Sequence, residues 1–221
     1  MHKPPWPPAP TIFLVVITAL VIGSFQEYRL RTATPPQTNL EFAEHVFQTG
    51  DDQTALKLFG ELANKNNPNA EYWLGHMNEI GLGVPRDVTK AIGLYKKAAE
   101  QNVVAAEARI GGLYSNGDLV TPDFSQAKSY LERAAYHADP RSAILLGQMY
   151  RIGIGTAVDQ KQAYAWSEVA SFEGSEFAAR ERDSSLHDLD VIDQQAAVAH
   201  AHDIMKEIKQ KTTVPQVPEA K

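Results

Sequence analysis

Residues 69–102, NAEYWLGHMNEIGLGVPRDVTKAIGLYKKAAEQN, form one unit of a repeat that returns twice further along the chain. Residues of the same type recur at intervals of 36 positions in four series: Gly75, Gly111 and Gly147; Asp87, Asp123 and Asp159; Ala91, Ala127 and Ala163; and Ala98, Ala134 and Ala170. A period of this size is typical of a helical solenoid, in which each unit packs only against its neighbours.

Each unit is predicted to contain two antiparallel helices, which we call helix A and helix B. In the first unit, helix A spans about residues 70–80, where Leu74 and Met77 follow helical spacing. The glycine-rich turn at 81–85 ends this helix, because glycine adopts positive φ at little cost. Asp87 is predicted to begin helix B as its N-cap, since its carboxylate can accept bonds from the first free N–H groups.

Two further features of the unit predict how helices A and B pack and how helix B is capped. Gly75 lies inside helix A, where glycine costs about 1 kcal/mol relative to alanine. Its return in every unit indicates that helices A and B pack too closely for a side chain. In the second and third units, Gln126 and Gln162 follow the capping aspartate by three residues, which predicts a capping box. Lys90 stands at this position in the first unit.

The pattern resembles a known repeat family. Residues 146–155, LGQMYRIGIG, followed by Asp159, resemble the Sel-one-like repeat, a relative of the tetratricopeptide repeat. The resemblance implies an all-α, right-handed superhelical solenoid of helix-turn-helix repeats. The first unit departs from the pattern with Asn78 in the tyrosine position. The second departs with Ile110 for leucine and with Leu119 for the second glycine, so loop shapes are expected to differ between units.

The chain is expected to divide into nine segments around these units. They are a Pro-rich start (1–10), a membrane anchor or signal sequence (11–28), a linker (29–38), a degenerate tetratricopeptide-like leading repeat (39–68), repeat 1 (69–102), repeat 2 (103–138), repeat 3 (139–174), C-terminal capping helices (175–211) and a disordered tail (212–221). The last helix, from about residue 190, is expected to cover the open end of the solenoid. The alternative is a free amphipathic helix that binds a partner.

The uncharged stretch 11–25, TIFLVVITALVIGSF, is predicted to enter a membrane. Its 15 residues fall short of the roughly 20 of a free-standing span and match the core of a signal peptide. With its flanks the segment reaches a membrane-spanning length, and Trp6 and Tyr28 suit the two interfaces. No Ala-x-Ala cleavage pattern is nearby. We expect a retained single span in a bacterial inner membrane with the repeats in the periplasm; the alternative is a secreted or periplasmic protein after cleavage.

Composition excludes several classes of function. The chain has no cysteine, so disulfides, cysteine-ligated zinc and a cysteine nucleophile are impossible. Without the four charged residues before residue 32, which are Lys3, Glu27, Arg29 and Arg31, 18 of the 21 basic and 26 of the 27 acidic residues remain, a net charge of −8. An acidic surface argues against nucleic acid as a partner, because phosphate binding needs a basic face.

No motif predicts an enzyme, a cofactor or a metal site. The sequence has no phosphate loop, no dinucleotide fingerprint and no Gly-x-Ser-x-Gly elbow. His200 and His202 are two residues apart and therefore point to different sides of a helix, so they cannot share a metal. The repeated aspartates are explained by helix capping. The acidic residues near the first helix end are predicted to be solvated: Glu41, Glu44, Asp51 and Asp52.

The helices A are expected to line the concave face of the solenoid, as they do in tetratricopeptide proteins. By the repeat register, the residues lining this groove would be Tyr72, His76, Glu79, Ser115, Asn116, Arg141, Gln148 and Arg151. Their polar to amphipathic character suits the recognition of an extended peptide, and the alternative is a solvated face without a ligand.

These features predict a non-enzymatic, membrane-tethered adaptor or scaffold that binds another protein. Its expected role is the assembly or regulation of an envelope complex. The alternative is an accessory or hydrolytic factor that acts on cell-wall or saccharide substrates. Hydrolysis of a glycosidic bond would need two carboxylates facing each other in one cleft, and no spacing in the sequence indicates such a pair.

Overall fold

The computed structural model describes residues 39–172 and 174–213, which form ten α-helices. They are α1 (Leu40–Gln48), α2 (Asp52–Ala63), α3 (Pro68–Ile80), α4 (Val88–Glu100), α5 (Val104–Asn116), α6 (Phe124–Tyr136), α7 (Pro140–Ile152), α8 (Gln160–Ser171), α9 (Glu176–His187) and α10 (Val191–Thr213). The segment 11–28, predicted to enter a membrane, lies outside the described residues. None of the ten helices is long and apolar enough to cross a bilayer.

The helices stack in the order of the chain. Each helix A (α3, α5, α7) packs against its own helix B (α4, α6, α8), and each helix B packs against the next helix A. Neighbouring helices A also approach each other, α5 with α7 and α7 with α9, so the helices A form the narrower side of the stack. The predicted all-α solenoid of helical pairs is confirmed.

The recurring glycine of helix A marks the closest approach between the two helices of a unit. A β-carbon added there would lie 2.6–2.8 Å from the side chain 20 residues further on in helix B: Gly75 against Tyr95, Gly111 against Leu131, and Gly147 against Ser167. A real β-carbon essentially never lies this close to another heavy atom, so a side chain at any of these positions would force the neighbouring side chain or the helix itself to shift. The steric reason predicted for the glycines is confirmed.

The turn from helix A to helix B is held by two hydrogen bonds that repeat in all three units. The carboxylates of the N-cap aspartates accept from backbone N–H groups at 2.9–3.0 Å: Asp87 from Lys90, Asp123 from Gln126, and Asp159 from Gln162. The backbone N–H groups of the same aspartates donate to carbonyls at the end of helix A: Asn78, Tyr114 and Tyr150, at 2.8–3.1 Å. Each N-cap aspartate is thus hydrogen-bonded to helix B through its side chain and to helix A through its backbone, which fixes the turn between the two helices.

The capping box expected at these turns is not formed. In a capping box, the glutamine side chain would bond to the N-cap N–H group. That group in Asp123 already donates to the carbonyl of Tyr114, and the amide of Gln126 donates instead to the Asp123 carboxylate, at 2.7 Å. Gln126 therefore orients the carboxylate of Asp123, while the backbone N–H group of Asp123 remains bonded to the end of helix A.

The turn from helix B to the next helix A uses a left-handed residue at the same position in every unit. Its φ is 60° at Asn66, 63° at Asn102, 63° at Ala138 and 86° at Gly174. Asparagine and glycine visit this region readily, whereas alanine pays about 1–2 kcal/mol for it. Since Ala138 adopts the turn without a favourable side chain, the packing of the flanking helices imposes it.

The leading unit, α1 with α2, joins the stack through aromatic side chains. The ring of Trp73 on α3 stacks on Phe59 with 5.8 Å between centroids, and it lies 5.2 Å from Phe47. Its indole N–H donates to Glu44 at 2.8 Å. Asp51, 36 residues before Asp87, is the N-cap of α2. Two of the four acidic residues predicted only to be solvated thus have structural roles.

The last two helices correct the expectation about the end of the solenoid. Helix α9 takes the place of a fourth helix A but carries Arg182 and Asp183 where α7 has Leu146 and Gly147, so its outer face is polar. Such a face ends a stack of repeats in water. Helix α10 does not pair with α9. It packs across α8 and reaches α6 instead.

Helix α10 is therefore neither an end cap nor a free helix. Its apolar residues Ala197, Ala201, Ile204 and Ile208 are buried in one cluster with Trp166 of α8. The expectation that it covers the open end is wrong, because α9 already ends the stack with a polar face. The alternative of a free amphipathic helix is also wrong, because the apolar side is packed. The helix ends at Thr213, two residues beyond the expected boundary.

Candidate binding surface on the helices A

The eight residues predicted to line a groove fall into two groups. Tyr72, His76 and Glu79 lie on α3, and the exposed Arg141 at the start of α7 is close enough for its charge to act on Tyr72. Ser115 and Asn116 at the end of α5 lie beside Gln148 and Arg151 of α7 in a separate cleft. The structure thus assigns the predicted residues to two neighbouring sites on the same three helices.

Glu79 is not open to a ligand. Only 2% of the residue is exposed. Its carboxylate accepts from the Tyr95 hydroxyl at 2.8 Å and from Nε of Arg109 at 2.7 Å, and a second guanidinium nitrogen pairs with its other oxygen. Burial by itself would raise the pKa of Glu79, but the bonds from Arg109 and Tyr95 outweigh it and lower the pKa below the ordinary value.

This network is structural. It joins α3 to α4 through Tyr95, and α3 to α5 through Arg109, so one carboxylate ties together two helices of one unit and the first helix of the next. The prediction of Glu79 as a groove residue is therefore corrected. Arg109, which sequence reasoning did not single out, is the partner that removes it from the surface.

Tyr72 and His76 form a half-buried aromatic wall. Their rings are parallel, 3° apart in orientation, with 6.5 Å between centroids, and Tyr72 also lies 5.6 Å from Tyr95. Burial lowers the pKa of His76 and raises the pKa of Tyr72. Both side chains are therefore neutral at pH 7, and they present ring faces and edges rather than charge.

The second site is a cleft of about 230 Å³ between the carboxyl ends of α5 and α7. Four predicted residues meet there: Ser115, Asn116, Gln148 and Arg151. Four aliphatic or thioether side chains that the prediction did not include complete the lining: Leu145, Met149, Ile152 and Ile154. Ile152 leaves 53% of its surface exposed, so the cleft offers polar and apolar contact side by side.

Two of the four polar groups in the cleft are already used. The Ser115 hydroxyl donates to the carbonyl of Gly112 at 3.0 Å, and Nε of Arg151 pairs with Glu181 of α9 at 2.8 Å. Gln148 makes no side-chain hydrogen bond to any described residue, and Asn116 is exposed with only a 3.5 Å contact from Ser115. The two amides are therefore the groups most available to a ligand.

An amide side chain can donate and accept at once, which matches the alternating N–H and C=O groups of an extended backbone. Aliphatic side chains beside the amides can take up one apolar side chain of the same segment. The cleft therefore has the chemistry of peptide recognition. In the described part of the chain, no group of three His, Asp or Glu side chains converges as metal ligands do.

A second buried carboxylate provides a contrast to Glu79. Glu107 on α5 is fully buried and pairs with Arg133 of α6, which also donates to the carbonyl of Ala99 at 2.9 Å. Burial raises the pKa of Glu107 and exceeds the opposing effects of Arg133 and His137. Two buried glutamates on helices A, at different positions of the repeat, thus have pKa values shifted in opposite directions, because only Glu79 receives enough hydrogen bonds to outweigh burial.

Comparison with known protein families identifies three repeats in the chain. The Sel1 repeat family model matches three successive segments, residues 68–103, 104–139 and 140–171. These segments correspond to the helix pairs α3–α4, α5–α6 and α7–α8. A search of curated proteins gives no match.

One solved structure supports the fold, and two others show weaker similarity. The chain is similar to a Sel1 repeat protein from Oxalobacter formigenes, with 24% identity, a TM-score of 0.64, and coverage of 90% of this chain and 89% of that one. It is also similar to c5321, a protective antigen of uropathogenic Escherichia coli with an SLR fold (22% identity, 76% and 45% coverage, TM-score 0.47). A third similar structure is the immunity protein Pa5087 from Pseudomonas aeruginosa, with 14% identity, coverage of 85% of this chain and 93% of that one, and a TM-score of 0.34.

The two buried glutamates predict a measurable pH dependence. Because the pKa of Glu79 is lower in the folded chain than in the unfolded one, its stabilisation is present above about pH 4.3 and is lost as the pH falls below that value. Replacing it, Glu79→Gln, should lower the free energy of unfolding at pH 7 by about 1–3 kcal/mol. The deficit should shrink toward pH 3, as measured by urea unfolding.

The matched control is Glu107→Gln. Its pKa is raised in the folded chain, so the wild-type side chain loses stability as the pH rises through the folded value. Relative to the wild type, this variant should therefore gain stability between about pH 4 and pH 7. Parallel pH slopes for the two variants would contradict the assignment of opposite pKa shifts.

Proposed function

The chain carries three Sel1 repeats between residues 68 and 171, and from this premise we propose that it is a non-enzymatic, membrane-tethered adaptor. Sel1 repeats are protein-interaction modules. The adaptor holds an extended segment of another protein against its helices A. Its role is to assemble or regulate a complex of the bacterial envelope.

The observation that carries the proposal is the cleft between α5 and α7. It combines two available amides, Asn116 and Gln148, with the half-exposed aliphatic side chain of Ile152. An exposed isoleucine beside two solvent-accessible amides can contact both the backbone and one apolar side chain of an extended peptide.

The wall of Tyr72 and His76 lengthens this surface. Packed helices lie 8–10 Å apart, so the distance from α3 across α5 to α7 is about 20 Å. An extended chain advances about 3.3 Å per residue, so a segment of about six or seven residues reaches from the aromatic wall to the cleft. The proposed ligand is therefore a short extended segment with an apolar or aromatic residue at each end.

The adaptor is tested by capture from native membranes and identification of the partner by mass spectrometry, followed by titration of the purified pair. Asn116→Ala with Gln148→Ala should weaken binding by about 1–4 kcal/mol, since a few central side chains carry most of the affinity of an interface. Circular dichroism should remain unchanged, because neither amide supports the stack.

The matched control removes two amides elsewhere, Gln48→Ala with Gln195→Ala, both exposed and distant from the cleft in sequence and in the fold. It should leave the affinity within about twofold of the wild type, as expected for surface positions outside an interface. Equal affinity of the cleft variant and the control variant would remove the cleft from the proposal.

The membrane tether rests on the uncharged residues 11–25 and on the lack of a cleavage pattern after them. If the segment is retained, N-terminal sequencing of the protein from membranes should find the chain starting at its first residues. A start near residue 25 or 34 would show that a signal has been removed. The tether would then be lost, while the adaptor surface would be unaffected.

A further inference from the structure

The helices A of the three repeats present arginine to the surface and keep their carboxylates inside. Helices α3, α5 and α7 contain three acidic residues, and all of them are buried: Glu71, Glu79 and Glu107. The same helices contain three arginines, and all of them reach the surface: Arg109, Arg141 and Arg151. The chain as a whole has a net charge of −6. A surface of the opposite sign to the rest of the chain favours acidic partners over basic ones.

Two of these arginines are paired, and one is not. Nε and one Nη of Arg109 bond to Glu79, and Nε of Arg151 pairs with Glu181 at 2.8 Å. Arg141 is exposed and makes neither an ion pair nor a side-chain hydrogen bond with any described residue. The positive charge available to a ligand on this surface is therefore chiefly that of Arg141.

The position of Arg141 does not favour the stability of its own helix. It is the second residue of α7, where a cation meets the positive end of the helix dipole. The capping residue Asp139 offsets part of this effect, but its carboxylate accepts from the N–H group of Ser142 at 2.7 Å and forms no ion pair with Arg141. An exposed cation in this place is better explained by recognition of an anion than by folding.

The charge of Arg141 extends toward the aromatic wall. Burial raises the pKa of Tyr72, and the positive charges of Arg109 and Arg141 oppose that rise. Charges act on a neighbouring group in this way only over about 10 Å or less. The side chains of Tyr72 on α3, Arg109 on α5 and Arg141 on α7 therefore lie close together, although they come from three successive repeats.

Helix α5 leaves room between these side chains. In the 36-residue register, Ala108 and Gly112 of α5 occupy the positions that Tyr72 and His76 occupy on α3. A β-carbon added at Gly112 would meet nothing within 4 Å. A side chain of a segment that crosses α5 thus has space to extend between the aromatic wall and α7.

We propose that the segment held by the helices A carries an aspartate or glutamate at its centre, whose carboxylate lies over α5 and binds Arg141. This inference rests on the proposed function and adds the chemical class of the partner, an extended segment with apolar or aromatic ends and an acidic centre. The guanidinium group of Arg141 can donate two parallel N–H bonds to one carboxylate. The Nη of Arg109 that Glu79 does not use can donate a further bond.

The test uses the full chain in detergent and synthetic peptides of about seven residues, the length that spans the surface. Each peptide has leucine at both ends, varied residues between them and an amidated carboxyl end, so that only side chains supply carboxylates. Selection on the immobilised chain should enrich aspartate or glutamate at one central position. Replacing that residue by its amide should weaken binding about tenfold, as expected when a charge-assisted hydrogen bond is lost.

The variant Arg141→Gln identifies the group that reads the acid. It should bind the acidic peptide about tenfold more weakly and the amide peptide within about twofold of the wild type, since the loss arises only where both partners are present. The control, Lys97→Gln, removes an exposed positive charge from helix B of the first repeat. It should leave both affinities within about twofold. Arg141→Glu should reverse the preference toward a peptide with lysine at the central position.

The outcomes separate this inference from the proposed function. Selected peptides without a central acid, or equal losses of both peptides in Arg141→Gln, would overturn the inference and leave the adaptor surface standing. If a peptide without a central acid gained about tenfold in affinity from a free carboxyl end, Arg141 would read a chain terminus, and the central acid would be overturned. Binding of no peptide at all would contradict the proposed function itself.

Discussion

The close contact between the glycine of each helix A and a side chain of its helix B is the constraint on which the rest depends. Gly75, Gly111 and Gly147 let the two helices approach until a β-carbon would overlap Tyr95, Leu131 or Ser167. That approach sets the angle and distance within each pair. Because every pair is set in the same way, the aspartate-capped turns and the left-handed turns recur with the same 36-residue period.

The regular stack determines which side chains remain for a partner. On α3, Glu79 is withdrawn into a network with Tyr95 and Arg109, so only the ring faces of Tyr72 and His76 are presented. Near the ends of α5 and α7, Ser115 bonds within its own helix and Arg151 pairs with Glu181, while the amides of Asn116 and Gln148 and the aliphatic side chains stay open in a cleft. The same repeat position thus stabilises the stack in one unit and offers a binding surface in the next.

The periodic features were predictable from the sequence because each depends on one residue type at one register position. The close-packing glycines, the capping aspartates and the helix pairs are of this kind. The burial of Glu79 was not predictable, since it depends on Arg109, 30 residues away, meeting it across two units. The placement of α10 was also missed: a helix with one apolar side specifies that it packs, but not against which helix. Ala138 adopts a left-handed turn that its own side chain does not favour, so the neighbouring helices decide its conformation.

The dependence of the fold on the glycine contact is tested most directly by two neighbouring substitutions. A β-carbon at Gly112 would meet nothing within 4 Å, whereas one at Gly111 would lie 2.6 Å from Leu131. We predict that Gly112→Ala raises the free energy of unfolding by about 0.5–1 kcal/mol through helix propensity. Gly111→Ala should lower it by about 1–3 kcal/mol through overpacking. Urea unfolding of the two variants decides the matter, and a Gly111→Ala variant as stable as Gly112→Ala would contradict this account.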